Sequence, residues 1–134
     1  MTENNAIETA PMCFACGPDN PIGLKIRFKV EEGVCTGRFT PNGNHVGFSD
    51  TVHGGIVFSA LDDVMANLLF LQNIKAYTAK CEIRYRKPLR VGQEIVLTSK
   101  IESERRRLVV LIGEARLVES GELVADCSAS FMLG

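Results

Sequence analysis

A single stretch of helical periodicity interrupts a chain whose other patterns are typical of strands. Across residues 53–72, apolar side chains recur at spacings of three and four, the period of an α-helix; they are Val57, Ala60, Leu61, Val64, Leu68 and Leu71. The stretch contains no proline and few β-branched residues. We therefore predict a helix over residues 55–72, about 25 Å long at about 1.5 Å per residue. It is apolar around most of its circumference, so it should be buried on several sides.

Strand patterns lie on both sides of this predicted helix. Residues 24–30 alternate apolar and basic side chains, and residues 34–40 form the expected returning strand. Four more strands are predicted after the helix, over residues 80–86, 94–102, 108–118 and 123–132. This order predicts an α+β domain in which a long antiparallel sheet wraps around one central helix. One sheet leaves such a helix partly uncovered, so a second subunit is expected.

Length and composition restrict the class of protein. A chain of 134 residues is one ordinary domain that buries a core without disulfides, and its five cysteines are an odd number. No apolar stretch approaches the roughly 20 residues that cross a bilayer, so no membrane partner is expected. The polar start lacks the features of a signal peptide, which favours a cytoplasmic protein. Residues 1–12 are predicted to be a flexible arm and residues 13–134 the domain.

Basic residues are concentrated in one part of the chain. Residues 75–107 contain ten of the 15 basic residues and four acidic ones, although the net charge is only −1. A local basic run on a nearly neutral protein suits a small polyanionic ligand better than a nucleic acid. Ordinary solvated strand faces explain the same distribution equally well.

Two adjacent acids, Asp62 and Asp63, lie in the middle of the apolar helix. A buried carboxylate costs several kcal/mol unless it is paired or hydrogen bonded, so its presence calls for a reason. Asp63 shares a polar stripe with Ser59 and Asn67, whereas Asp62 has apolar neighbours at the same spacings. The pattern therefore predicts that Asp62 is the more desolvated carboxylate, with a raised pKa. The alternative is a structural hydrogen bond to backbone or to a partner.

The predicted helix starts at His53-Gly54-Gly55. Glycines permit close approach to the backbone, and the first amides of a helix attract an anion or a developing oxyanion. A tight entry turn explains the two glycines equally well. For His53 the residues favour a structural role. Thr78 is a candidate for orienting a water, although an isolated threonine at a strand start is ordinary.

These residues together resemble the PaaI-like branch of hotdog-fold acyl-CoA thioesterases. The active-site segment of that branch is similar to Val52-His53-Gly54-Gly55 followed, after six intervening residues, by Asp62. Two other segments resemble the start of the domain and the strand after the helix: Cys16-Gly17-x-x-Asn20-Pro21-x-Gly23-Leu24 and Tyr85-x-x-Pro88-Leu89. The Asp62–Thr78 spacing resembles the Asp/Thr pair of the mammalian members. The likeness covers residues 13–132.

The resemblance implies a hotdog fold and a homodimer that often pairs into a tetramer. It implies active sites at the dimer interface, where the Gly54 amide of one subunit faces Asp62 and Thr78 of the other. Gly54 would polarise the thioester carbonyl, Asp62 would activate water or attack directly, and Thr78 would hold the water. The family requires no cofactor.

The remaining predicted contacts concern the acyl-CoA substrate. His53 and Gly55 are expected beside it, and the CoA phosphates are expected to meet a basic run consisting of Arg84, Arg86, Lys87 and Arg90. A second basic candidate is residues 105–107. Five apolar residues are expected either to line an apolar pocket or, equally well, to belong to the core: Phe48, Phe58, Met65, Leu69 and Phe70. Some relatives have an asparagine six residues before the histidine, where this chain has Gly47; His45 or Ser49 are candidates to replace it.

Three other functions are compatible with parts of the pattern. A non-catalytic acyl-CoA or fatty-acyl binding module would share the fold but would not need Asp62. A dehydratase or hydratase would need a proline-rich segment around its histidine, which is missing. A zinc or redox module could use Cys13-x-x-Cys16, but the pair lacks the second pair of ligands that structural zinc sites have, so no metal is expected.

Overall fold

The computed structural model describes residues 10–134, which form eight strands and one α-helix. In chain order these are β1 (Lys29–Glu31), β2 (Val34–Phe39), β3 (Val46–Phe48), β4 (Thr51–Val52), α1 (Gly54–Phe70), β5 (Ala76–Tyr85), β6 (Ile95–Arg105), β7 (Leu108–Leu117) and β8 (Leu123–Leu133). Among these residues, no helix has the length and apolar character needed to cross a membrane.

Six strands form one antiparallel sheet in the order β1-β2-β6-β7-β8-β5. Its longest strands alternate buried and less buried residues, as a sheet with one covered face requires. Strand β5 lies at one edge and pairs with β8. The short strands β3 and β4 form a separate pair that precedes the helix. The predicted α+β architecture, one helix against a long antiparallel sheet, is confirmed.

Helix α1 packs its apolar side chains against the covered face of the sheet. Ala60, Leu61, Val64 and Leu68 are fully buried there, and burying each large aliphatic side chain contributes about 1.5–3 kcal/mol. Gly113 on β7 permits the close approach, because a Cβ atom there would lie 3.3 Å from Cγ of Met65. The helix begins one residue before its predicted start and ends two residues before its predicted end.

The first predicted strand is wrong over most of its length. Residues 24–28 lie outside the sheet, and only residues 29–31 pair with β2. Leu24 and Ile26 are buried, as their alternation indicates, but their N–H groups donate to the carbonyls of Phe14 and Ala15 at 2.8 and 3.0 Å. Lys25 between them has a φ of 56°, which a strand does not allow. The alternation therefore reflects burial of these side chains in the core, on a segment whose backbone bonds to the preceding turn instead of to a strand.

The predicted N-terminal arm lies mostly outside the described residues, which exclude residues 1–9. Residues 10–12 are hydrogen bonded to the turn that follows them. The carbonyl of Pro11 accepts from the Asp19 N–H at 2.9 Å, and the carbonyl of Met12 accepts from Nδ2 of Asn20 at 3.0 Å. This part of the arm is thus joined to the domain.

Candidate active site

The helix and the edge strand bring Asp62 and Thr78 together. Oγ1 of Thr78, near the start of β5, donates a hydrogen bond of 3.0 Å to Oδ1 of Asp62 in the middle of α1. The pairing register of β5 against β8 shifts between Thr78 and Lys80. Such irregularities change the direction in which neighbouring side chains point. The structure therefore places these two predicted site residues in direct contact.

Asp62 is half-buried, and burial raises its pKa, an effect that the Thr78 hydrogen bond partly offsets. A raised pKa makes a carboxylate a stronger proton acceptor once it is ionised. The predicted direction of the shift is confirmed. This environment suits a carboxylate that exchanges protons with a substrate or a water.

The prediction that Asp62 is the more desolvated carboxylate is wrong, because Asp63 is buried more deeply. Residues 13–16, about 50 positions earlier in the chain, fold over Asp63. The carboxylate also accepts a hydrogen bond of 2.9 Å from Nδ2 of Asn67, its predicted neighbour on the polar stripe. Ser59, the third residue of the predicted polar stripe, instead donates a hydrogen bond of 2.8 Å from its hydroxyl to the carbonyl of Gly55. Burial raises the pKa of Asp63.

His53 is the N-cap of α1. Its Nδ1 atom accepts a hydrogen bond of 2.8 Å from the Gly55 N–H, which satisfies one of the first amides of the helix. The Gly55 amide is thus already engaged within the chain. The Gly54 N–H has no acceptor within residues 10–134. Of the three residues at the predicted helix start, Gly54 therefore has the N–H group that is available to a ligand. His53 has a structural role, which the sequence favours.

Tyr85, the last residue of β5, contacts the start of the helix, although the sequence gives it no role. Its hydroxyl donates a hydrogen bond of 2.8 Å to the carbonyl of Gly54. The bond joins the end of β5 to the first turn of α1 across 31 residues of chain. Its place in the Tyr85-x-x-Pro88-Leu89 segment is the signal that could have identified it.

The predicted substitutes for the missing asparagine occupy the loop before the helix. Nδ1 of His45 accepts from the Asn42 N–H at 3.0 Å. The His45 ring lies 5.3 Å from the ring of Phe39, and burial lowers its pKa. Ser49 is exposed, with a φ of 54°. His45 is therefore already committed to capping a short 3-10 helix over Gly43–His45.

The predicted pocket residues separate into two groups. Met65 and Leu69 are core residues with 0% and 2% exposure. Phe48 on β3 is 74% exposed and Phe70 at the end of α1 is 36% exposed. Phe58 is half-buried on α1. The aromatic residues, unlike Met65 and Leu69, are thus accessible to a ligand.

Most of the predicted basic run is engaged in surface ion pairs. Arg86 contacts Asp126 and Lys87 contacts Glu122, both at 2.8 Å, while Arg90 contacts Asp50 at 2.7 Å. Arg84 is exposed and forms no ion pair with the described residues. In the second candidate, residues 105–107, the guanidinium of Arg107 donates to the carbonyl of Leu133 at 2.8 Å.

The cysteines occupy two kinds of environment. Cys35 and Cys127 are core residues, and burial raises the pKa of each to about 12. Cys13 and Cys16 are half-buried beside Asp63, and one ligand atom from each of these three residues lies within 4.8 Å of the others. The sequence pattern did not reveal this third residue, because it is distant along the chain.

Part of the chain matches a known protein family. Residues 50–124, more than half of the chain, match the thioesterase superfamily. No curated protein matches the chain significantly in sequence. Solved structures do match it, and the similarity in three of them spans most of both chains.

The first is a hypothetical thioesterase from Streptococcus pneumoniae, solved with coenzyme A (TM-score 0.76, 14% identity, covering 81% of this chain and 85% of that one). That protein was also solved with an aspartate replaced by alanine, and with a threonine 16 positions later replaced by alanine. The second is the Escherichia coli PaaI protein of the phenylacetic acid degradation operon (TM-score 0.76, 21% identity, covering 81% and 83%). The third is mouse thioesterase superfamily member 2 (TM-score 0.74, 20% identity, covering 81% and 88%).

The predicted resemblance to PaaI-like proteins is confirmed, because the fold is shared with PaaI itself. The predicted hotdog fold is confirmed by the same similarity. On its match to the family over residues 50–124, the chain belongs to the thioesterase superfamily.

Proposed function

We propose that this protein is an acyl-CoA thioesterase in which Asp62 is the catalytic carboxylate. The observation that carries the proposal is the 3.0 Å hydrogen bond between Thr78 and Asp62 in a thioesterase-superfamily fold. The spacing between the two residues is 16, the same as between the aspartate and the threonine replaced in the S. pneumoniae protein. That protein binds coenzyme A, which supports a CoA ester as the substrate class.

In the proposed reaction, Asp62 takes a proton from a water while that water attacks the thioester carbonyl carbon. The carbon–sulfur bond then breaks, and the departing CoA sulfur receives the proton from Asp62. Alternatively, Asp62 attacks the carbonyl carbon itself, the carbon–sulfur bond breaks and the CoA thiolate leaves. Water then hydrolyses the resulting anhydride, which regenerates the Asp62 carboxylate, and the proton released protonates the thiolate. Thr78 serves both routes, because its proton is donated to Asp62 and its oxygen lone pairs can accept from water.

The Gly54 amide is proposed as the donor that stabilises the oxyanion. Gly54 and Asp62 are eight residues apart on one helix, a rise of about 12 Å at about 1.5 Å per residue. Within one chain, the carbonyl group of a thioester cannot lie close to both the Gly54 amide and the Asp62 carboxylate, since an oxyanion hole acts at hydrogen-bond distance. The site is therefore proposed to form between two subunits, with Gly54 from one and the Asp62–Thr78 pair from the other.

A homodimer formed through strand β5 fits this requirement. Strand β5 has ten residues and pairs with β8 on one side, and no strand among residues 10–134 pairs with its other side. An open edge of this length is a template for pairing with another chain. Thr78 lies on β5, so such pairing would bring the second subunit close to the site. A dimer of dimers remains our expectation for the full assembly.

The experiment that tests the proposal is thiol release from a panel of acyl-CoA esters by wild type and Asp62→Asn. We expect wild type to hydrolyse at least one ester, and the variant to be slower by about 10² or more, as for a positioned general base. The panel ranges from aryl-acetyl to long-chain esters, because accessible aromatic residues such as Phe48 are compatible with several acyl groups.

Two outcomes would change the proposal. If folded wild type binds acyl-CoA but releases no thiol from any ester, the protein is a binding module of the same fold. If Asp62→Asn hydrolyses the esters at the wild-type rate, the carboxylate is not the catalyst. Circular dichroism of both proteins establishes that the comparison is between folded molecules.

A further inference from the structure

The turn at residues 13–17 places two sulfur atoms on the same side of the backbone. The N–H of Gly17 donates to the carbonyl of Cys13 at 2.8 Å. A Cβ atom at position 17 would lie 2.3 Å from the backbone nitrogen of Cys13, so the reversal of the chain requires glycine there. Because of this reversal, Cys13 and Cys16 both face helix α1.

Asp63 meets this pair from the helix with one carboxylate oxygen directed at it. Oδ1 of Asp63 lies 3.7 Å from Sγ of Cys13. The other oxygen, Oδ2, is occupied by the hydrogen bond from Nδ2 of Asn67, a residue that is 6% exposed. The same Asn67 nitrogen lies 3.8 Å from Sγ of Cys16. A buried amide thus fixes the carboxylate orientation, which is how outer partners orient ligands at metal sites.

We propose that Cys13, Cys16 and Asp63 form a binding site for a divalent metal ion of the zinc type. The three ligand atoms lie within 4.8 Å of one another. Around a tetrahedral Zn²⁺ with bonds of about 2.3 Å to sulfur and about 2.1 Å to oxygen, ligand atoms are separated by about 3.6–3.8 Å. The Cys13–Asp63 separation of 3.7 Å already has this value, so binding requires only a small contraction elsewhere in the cluster.

The ligand set determines the class of metal. Two thiolates favour zinc and exclude magnesium or calcium, which prefer oxygen ligands. Three protein ligands leave a fourth position for water. That position has space, because the cluster lines a cavity of about 410 Å³ together with Ala66, Phe70 and Ile74. Metal binding replaces the two thiol protons, which are released to solvent.

A metal here would fasten the N-terminal turn to the helix. Cys13 and Cys16 belong to a segment that lies outside the sheet, and Asp63 lies about 50 residues further along the chain. No metal is expected from the sequence, because Cys13-x-x-Cys16 lacks the second pair of ligands that structural zinc sites have. The fold supplies the third ligand from α1, on a different face of the helix from the Asp62–Thr78 contact.

The test is metal titration of the full chain after chelator treatment and reduction with a phosphine. We expect about one equivalent of Co²⁺ per chain, thiolate-to-cobalt absorption in the near ultraviolet, and displacement by stoichiometric Zn²⁺. The variants Cys13→Ser, Cys16→Ser and Asp63→Asn should each weaken binding by tenfold or more. Cys81→Ser is the matched control, because Cys81 is half-buried on β5 and lies outside the cluster; it should bind like wild type.

A second measurement needs no variant and does not depend on how the substitutions affect folding. In reduced wild type, Zn²⁺ should protect Cys13 and Cys16 from alkylation, as read by mass spectrometry, and leave Cys81 labelling unchanged. Absence of the cobalt absorption, or equal alkylation with and without zinc, would overturn the proposal and leave the thiols as hydrogen-bond donors to Asp63. A Cys13–Cys16 disulfide that forms in air despite added zinc would also overturn it. None of these readouts involves thioester hydrolysis.

Discussion

The hydroxyl of Thr78 and the carboxylate of Asp62 lie 3.0 Å apart, and this hydrogen bond joins the edge strand β5 to the middle of helix α1. The bond holds one carboxylate oxygen, Oδ1, in a fixed direction. The other oxygen accepts no hydrogen bond within residues 10–134 and is the one available to a water or a thioester. Thr78 therefore positions Asp62 as well as any water beside it.

Replacing Thr78 by valine preserves the side-chain shape and removes the hydroxyl. A hydrogen bond to a charged group contributes about 1.5–3 kcal/mol, so we expect kcat/KM to fall by about tenfold or more. Thr78→Ser retains the hydroxyl and should remain within a fewfold of wild type. Steady-state thiol release from the best ester gives the comparison, and equal activity of the valine and serine variants would contradict the assigned role.

Subunit complementation tests whether the site is shared. Gly54→Pro removes the amide donor at the first helical position, where proline is tolerated. Gly54→Ala keeps the donor, and its Cβ would lie 3.3 Å from the movable hydroxyl of Tyr85. We expect the proline variant and Asp62→Asn to be nearly inactive alone and the alanine variant to retain most activity.

When these two inactive variants are unfolded together and refolded as mixed dimers, each heterodimer has one intact site if Gly54 and Asp62 act across the interface. Random mixing should then recover roughly a quarter of wild-type activity. A site contained within one chain would give no recovery. Size-exclusion chromatography of the mixture establishes that dimers have formed.

The cap residue His53 allows a structural role to be separated from a substrate contact. His53→Ala removes the acceptor for the Gly55 N–H, and loss of an N-cap costs about 0.5–2 kcal/mol of unfolding free energy. Asparagine is a good cap, so His53→Asn should stay near wild type in urea denaturation. If the asparagine variant is stable but has a much higher KM, the imidazole touches the substrate.

Arg84 is our first candidate for a CoA phosphate contact, because the neighbouring basic side chains already pair with carboxylates such as Asp126 and Glu122. An exposed ion pair contributes about 0.2–1 kcal/mol, so Arg84→Gln should raise KM by roughly two- to fivefold and leave kcat unchanged. Arg106→Gln, in the second basic candidate, is the control. A larger KM effect at Arg106 would move the phosphate contact to that turn.

The elements with long periodic patterns were predictable from the sequence. The helix and the strands after it follow from the spacing of apolar residues, and the predicted ends of the helix differ by one or two residues from the observed ones. The error at residues 24–28 has a physical cause. A buried alternating segment satisfies the same pattern whether its N–H groups bond to a strand or, as at Leu24 and Ile26, to a preceding turn.

The candidate site was predictable only in part. Asp62 and Thr78 were identified from the sequence, and the two side chains are in contact. The relative burial of Asp62 and Asp63 was not predicted correctly, because it depends on residues about 50 positions earlier that fold over Asp63. The Tyr85 hydroxyl bond to Gly54 was missed for the same reason, since it spans 31 residues. Local patterns carry no information on contacts of this kind.

Asp62 and Asp63 are adjacent in the chain, but their carboxylates have different partners. Asp62 contacts Thr78, and Asp63 contacts the Cys13–Cys16 turn. Successive side chains of a helix point about 100° apart. The directions of the two carboxylates are therefore fixed relative to each other, and a rotation of the helix would move both. Substitution can change either one alone. An insertion or deletion of one residue between the start of α1 and Asp62 would rotate both carboxylates away from their partners, so changes of length should be excluded from this part of the helix.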